Sequence, residues 1–272
     1  MNASTERHFY YHADASPVGG HITHPFEKIV TTEASSSLAQ AGGHVNGVHE
    51  SYRLDPVVAA QKAYSHISGA KNHATGTWTT LTTSVVEHLN VLEVVTADRI
   101  VARLAVEHPA EGYTPKVSFV GAQFINLRVN GHPVNVKLNR SLLHPGHDNF
   151  PTEPHIKDKK FIQKVAEHGR RITGAKDAPE WVKTRYGWIG KPEEHEKRGH
   201  VLTSLVEEIE EVHGATTCGH VIVVPDFGNL FLGELSLDRA SFQLTMLRME
   251  LGCPAVGNLS MATSRSNGYP MP

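Results

Sequence analysis

The chain has 272 residues, and 26 Lys and Arg against 28 Asp and Glu give it a formal net charge of −2 at pH 7. Its apolar fraction of 39% and charged fraction of 20% exclude a disordered chain and predict a globular protein. The lack of a basic excess argues against nucleic acid as a partner. Two cysteines are too few for a disulfide scaffold or a Cys-rich zinc site.

Histidine is unusually frequent, with 19 residues in the chain. Protonation of all of them would change the formal charge from −2 to +17, because imidazole is the side chain that titrates near neutral pH. Three interpretations are open: a histidine-rich composition without a selected role, the binding of a metal ion, and an assembly that depends on pH.

No segment of the sequence predicts a membrane span or an export signal. The densest apolar run, Val221–Val224, stops at Pro225, whereas a spanning helix needs about 20 apolar residues. The N-terminal residues lack the apolar stretch of a secretory signal. We therefore expect a cytoplasmic protein whose cysteines are reduced.

The first half of the chain carries mainly β-strand signals. Residues 1–50 are rich in Gly, Ser, Thr, Ala and His and predict an extended, turn-rich arm with a few strands. Residues 57–70 fit both a helix and a strand, while β-branched and aromatic residues favour a strand over 77–86. Asn130-Gly131 between two alternating runs predicts a hairpin, since a type I′ turn needs positive φ at both central positions.

Residues 141–200 differ in composition from the segments around them and predict an insertion between two β halves. Four apolar residues form a stripe that predicts one helix, ended by Gly169: Ile156, Ile162, Val165 and Ala166. The segments around 179–181 and 186–188 predict ordered loops.

The last third of the chain returns to strand signals, with strands predicted over 219–224, 229–237 and 241–251. Residues 201–212 fit a helix face and a strand face, and we favour a strand at their start. After Pro254 the composition predicts no regular element.

These signals combine into one fold class. We predict a mainly β protein, an antiparallel β-sandwich or open barrel. It forms a single domain over residues 1–272, with a small helix-containing insertion at 141–200.

The best local candidate for a metal site lies at the start of the insertion. His144, His147 and Asp148 can supply three ligands from one loop, with His155 nearby, and imidazole with carboxylate suits a divalent transition metal. In so histidine-rich a chain, such spacing also arises by chance.

A second candidate site interleaves aromatic and basic residues. Trp181, Arg185, Tyr186 and Trp188 form a pattern that can stack bases or sugars. The alternative interpretation is a loop that folds its aromatic rings onto the sheet.

The sequence assigns no catalytic residue. It contains no nucleophile elbow and no phosphate-binding Gly-rich loop. Cys218 lies two residues from His220, a spacing that only places both on one face of a strand, and Cys253 lies in a Gly-Cys-Pro sequence. We interpret both thiols as structural.

Two segments resemble a known group of proteins. Thr96–Arg103, which follows a Thr- and Val-rich strand, and Phe124–Val134 are similar to patterns in uncharacterised bacterial β-rich proteins of the choice-of-anchor P group. The resemblance covers about residues 75–138. It implies a bacterial β-rich fold, and that group has no catalytic motif to carry over.

Three functional hypotheses follow. The first is a non-enzymatic β-rich protein that forms a homo-oligomer or binds another partner through exposed strand edges. The second is a metal-dependent protein or enzyme that uses the His144 loop. The third is a cofactor-free enzyme that binds a small molecule in a β-barrel pocket.

Overall fold

The computed structural model describes residues 7–32, 34–112, 114–143, 155–238 and 241–271. In chain order its strands are β1 (Phe9–Tyr10), β2 (Ala13–His24), β3 (Lys28–Val30), β4 (Ser36–Ser37), β5 (Gly43–Leu54), β6 (Val58–Lys71), β7 (Trp78–Val91), β8 (Val95–His108), β9 (Lys116–Ser118), β10 (Gln123–Ile125), β11 (Arg128–Val129), β12 (His132–Pro133), β13 (Val136–Leu138), β14 (His200–Ser204), β15 (Val206–Ile209), β16 (Thr216–Cys218), β17 (Val221–Val224), β18 (Gly228–Asp238), β19 (Ser241–Leu251), β20 (Val256–Ser266) and β21 (Tyr269–Pro270). The helices lie between β13 and β14: α1 (Lys159–Thr173), α2 (Glu180–Tyr186) and α3 (Pro192–Arg198).

Two antiparallel sheets form the body of the protein. The first sheet has the strand order β12-β11-β8-β7-β6-β5, with β9 and β10 also paired to β8. The second sheet has the order β16-β17-β18-β19-β20-β2-β3, with β14 paired to β18 and β4 paired to β2. Two small ladders join β1 to β21 and β13 to β15.

The two sheets pack face to face, with β6, β7 and β8 against β2, β19 and β20. These strands contain fully buried apolar residues such as Val18, Ile100 and Met261. The Oγ of Ser264 in β20 donates a hydrogen bond to the carbonyl of Ala102 in β8 at 3.4 Å, across the two sheets. This arrangement confirms the predicted mainly β fold, in its sandwich form.

The helices cover part of the opposite face of the second sheet, where β14 and β18 lie. The carboxylate of Asp158 caps α1 by accepting from the backbone N–H groups of Lys160 and Phe161. Gly169 was predicted to end this helix, and that is wrong, because α1 continues to Thr173. A Cβ at Gly169 would lie 2.6 Å from the backbone nitrogen of Gly190. Gly169 therefore permits close packing inside the helix rather than ending it.

Three other local predictions are wrong in whole or in part. The strands expected in residues 1–50 are present in its described part, but they do not form an arm, since β2 lies inside the second sheet between β20 and β3. The loop expected around 179–181 is the start of α2, which Pro179 precedes as the N-cap, whereas around 186–188 only Tyr186 is helical and Gly187 and Trp188 lie in a turn. The segment after Pro254 forms β20, which pairs with β19 and β2.

Other local predictions are confirmed. β11 and β12 pair as a hairpin around Asn130 and Gly131, whose φ angles are 49° and 78°. Residues 201–209 form strands rather than a helix, in β14 and β15. None of the helices in the described residues is long and apolar enough to cross a membrane.

Candidate functional site

A buried ion pair lies on the helix-covered face of the second sheet. Glu234 of β18 is 7% exposed, and Arg248 of β19 donates from Nε to its Oε2 at 2.6 Å and from Nη2 to its Oε1 at 3.0 Å. Burial opposes ionisation of Glu234, but His220 and Arg248 outweigh burial and lower its pKa to about 2. The carboxylate is therefore charged at neutral pH and depends on these partners.

Two buried histidines connect this ion pair to α1. His168 is 5% exposed and His220 is fully buried, and Nε2 of His168 lies 3.0 Å from Nδ1 of His220. Nε2 of His220 lies 3.5 Å from Oε1 of Glu234, which is longer than an ordinary hydrogen bond. Burial lowers the pKa of His168 to about 2, and His220 and Arg171 add to this effect. The His168 ring is therefore neutral.

Arg171 lies at the end of this series of hydrogen-bonded side chains and determines which ring nitrogens of His168 and His220 carry a hydrogen. Nη2 of Arg171 lies 3.4 Å from Nδ1 of His168, and a guanidinium can only donate. Nδ1 of His168 is then the acceptor, so its Nε2 carries the hydrogen and donates to Nδ1 of His220. The remaining hydrogen of His220 is on Nε2 and faces Glu234. Donors thus run in one direction from Arg171 to the buried carboxylate.

Tyr186 and Arg185, two of the four residues predicted as an aromatic and basic binding site, join this network. The hydroxyl of Tyr186 donates to Oε1 of Glu234 at 3.2 Å, and Tyr186 is fully buried. Burial raises the pKa of this phenol. Nη1 of Arg185 donates to both carboxylate oxygens of Glu250 at 2.7 and 2.9 Å, and Glu250 also pairs with Arg248.

The two predicted tryptophans are half-buried and lie in different surroundings. The Trp181 ring packs edge-on to Phe231 of β18, with 6.3 Å between centroids. The Trp188 ring lies 5.1 Å from that of His195 and 4.6 Å from the guanidinium of Arg198. The structure thus places aromatic rings on the sheet and among the helices. Binding by these four residues stays a prediction.

The predicted metal residues His144, His147 and Asp148 lie outside the described residues, so the metal site also stays a prediction. Their neighbour His155 is partly buried, and its ring lies edge-on to Phe242 at 5.1 Å. Burial lowers the pKa of His155 to about 4. Within the described ranges, no three His, Cys, Asp or Glu side chains are grouped so that they could hold a metal ion.

A cleft of about 620 Å³ opens beside His168. Its walls are α1, the strands β14 and β15, and the segment after β13. Basic and polar side chains dominate the lining, including Lys164, Arg170, Arg171, Asn139 and Thr203. The series of hydrogen-bonded side chains from Glu234 through His220 to His168 and Arg171 therefore ends at a solvent-accessible cavity of small-molecule size.

The first sheet ends in a long open edge at β5. This strand has twelve residues and pairs only with β6 among the described strands. No backbone hydrogen bond from the described residues reaches its outer side. The edge strands β3 and β16 of the second sheet have three residues each, and β12 has two. β5 is thus the longest free edge in the part of the chain that the structure describes.

Both polar and apolar side chains lie on the solvent-exposed face of β5. Val48 is 52% exposed near the middle of the strand. On one side of it, Asn46 hydrogen-bonds His66 of β6, and the ring of His44 stacks on that of His66 at 6.2 Å. On the other side, Glu50 pairs with Lys62 at 2.6 Å. The edge therefore carries an exposed valine flanked by groups already ordered against β6.

Sequence reasoning missed Glu234, His168 and His220 as parts of one network. One signal could have found Glu234, because it is an isolated carboxylate inside the apolar strand Gly228–Asp238. A charge at such a position must have a buried partner. The partners lie in other elements, and no local spacing in the sequence points to them.

A protein-family model described as Domain of unknown function (DUF8256) matches residues 9–238, which include every element from β1 to β18. No curated protein matches the chain, and neither does any solved structure.

Proposed function

The chain belongs to the DUF8256 family, and we propose that this member is a non-enzymatic protein that forms a homodimer through β5. The observation that carries the proposal is the twelve-residue strand with no backbone partner on its outer side among the described residues. Unpaired N–H and C=O groups in a row are a template for another strand. Pairing with a second copy would satisfy them and extend the first sheet.

Symmetry selects Val48 as the centre of the interface. A twofold axis perpendicular to an antiparallel sheet makes one residue of the strand face its own copy. Val48 is the exposed apolar residue nearest the middle of β5. With Val48 on the axis, Glu50 faces Asn46 of the other copy, and no like charges stand opposite each other. The apolar surface of Val48 in both copies would then be removed from water, which stabilises the dimer.

The cysteines support the cytoplasmic location that we propose for the dimer. Cys218 is buried and Cys253 is exposed, and neither forms a disulfide. Burial raises the pKa of the Cys218 thiol, which keeps it protonated and unreactive. An exposed free thiol such as Cys253 persists in a reducing compartment.

Native mass spectrometry at pH 7 tests the proposed interface. We expect the wild-type protein to appear at about twice 29.8 kDa. Val48→Lys places two like charges on the axis and should raise the dissociation constant about tenfold or more. Val120→Lys is the matched control, since Val120 is 70% exposed but lies in a turn away from the edge. If Val48→Lys and Val120→Lys have the same dimer dissociation constant, β5 is excluded as the interface.

A further inference from the structure

We infer that the cleft between α1 and β14–β15 binds a small molecule that carries a phosphate group. This site is separate from the dimer edge, and nothing in its geometry depends on β5. The volume of about 620 Å³ exceeds what a single inorganic ion needs and fits a phosphate ester.

The cations around the cleft are not neutralised by carboxylates. Lys164 lines the cleft and takes part in no ion pair among the described residues. Nη1 of Arg170 donates to the carbonyl of Gly190 at 3.1 Å, and Nη1 of Arg171 donates to the carbonyl of Glu207 at 3.1 Å. These neutral acceptors orient both guanidinium groups without cancelling their charge. Three positive charges therefore remain available to an anion.

Of the two carboxylates that line the same cleft, one is paired with a cation. The carboxylate of Glu207 lies 3.2 Å from Nζ of Lys137. The carboxylate of Glu167 accepts a hydrogen bond from the neutral amide of Gln163 at 3.2 Å and keeps its charge. Lys164, Arg170 and Arg171 outnumber this one unpaired carboxylate, so the net charge of the lining is positive.

Neutral side chains in the lining add no negative charge, and one of them supplies donors. His168 carries no charge, and its two ring nitrogens are already engaged with His220 and Arg171. The oxygen Oδ1 of Asn139 accepts from the N–H of Ser141 at 3.1 Å, which leaves the amide hydrogens of Asn139 as donors. A tetrahedral dianion with several acceptor oxygens matches three cations and added donors better than a single carboxylate does.

Isothermal titration with glycerol 3-phosphate in phosphate-free buffer tests this site. We expect saturable binding to the full-length protein. The double variant Lys164→Gln/Arg171→Gln should weaken binding at least about tenfold. The single variant Lys164→Gln removes a side chain with no described partner, so it tests the site even if the double variant folds poorly.

The control removes the same charge at exposed positions outside the cleft, with Lys176→Gln/Lys183→Gln. It should change the affinity less than twofold. Three results would overturn the inference: no binding by the wild type at millimolar ligand, equal weakening by the control pair, or binding of the dicarboxylate malonate as tight as that of the phosphate ester.

Discussion

At the scale of single residues, the structure depends on charges that it buries. Glu234 holds together β18, β19 and α2, because its carboxylate accepts from Arg248 and Tyr186. Replacing it with Gln keeps the shape and removes the charge that balances Arg248. We expect Glu234→Gln to reduce the free energy of unfolding by about 3 kcal/mol, as measured by urea denaturation.

Glu250 is the matched control for Glu234, since it also pairs with Arg248 but is about one-third exposed. Glu250→Gln should cost about 1 kcal/mol or less, because water screens the exposed pair. Equal losses from the two variants would show that burial does not decide the strength of this network.

At this scale the sequence predicted individual residue types better than their partners. Tyr186 and Arg185 were recognised as candidates, yet their acceptors Glu234 and Glu250 lie 48 and 65 residues away. The hairpin at Asn130 and Gly131 was predicted correctly, because its cause is the φ preference of the turn residues themselves.

At the scale of elements, prediction succeeded where one periodicity dominates and failed where long-range pairing decides. β7 combines β-branched residues with alternating burial, and its strand was predicted. β20 contains Gly and Asn, which are weak strand formers, and no clear apolar alternation, but neighbours on both sides supply its hydrogen bonds. Its conformation is set by β19 and β2, and no local signal could reveal it.

The same distinction explains the helical insertion. The Ile162, Val165 and Ala166 stripe of α1 was visible in the sequence, and these residues are buried. α2 has only seven residues, too short for a clear helical period. Its buried Val182 and Tyr186 pack against the sheet, and this packing rather than propensity stabilises the helix.

At the scale of the whole molecule, buried histidines link stability to pH. His108 and His168 are 4% and 5% exposed, and burial lowers their pKa values to about 4 and about 2. The unfolded chain binds protons at both sites near pH 6.5, before the folded chain does. The contribution of these neutral histidines to the free energy of unfolding is therefore complete above this pH. It is lost as the pH falls toward the pKa values of the folded protein.

The slope of this loss can be measured. Each such histidine contributes up to about 1.4 kcal/mol per pH unit below pH 6. Burial lowers the pKa of His155 to about 4 as well, so His108, His155 and His168 together give up to about 4 kcal/mol per unit. Urea denaturation of Val48→Lys at pH 8, 7, 6 and 5 would separate this effect from dimerisation. Glu234 loses its stabilising charge only between about pH 4.5 and 2, outside this window. Constant stability from pH 7 to 5 would contradict the account.

Cysteine crosslinking tests the central claim, the pairing of β5 with its own copy, most directly. In a Cys253→Ser background, Val48→Cys places two thiols on the proposed twofold axis, within disulfide distance in an antiparallel pair. Mild oxidation should give a disulfide-linked dimer on a non-reducing gel, while the exposed control Val120→Cys should stay monomeric. Absence of the Val48→Cys dimer, or equal crosslinking of both variants, would contradict assembly through β5.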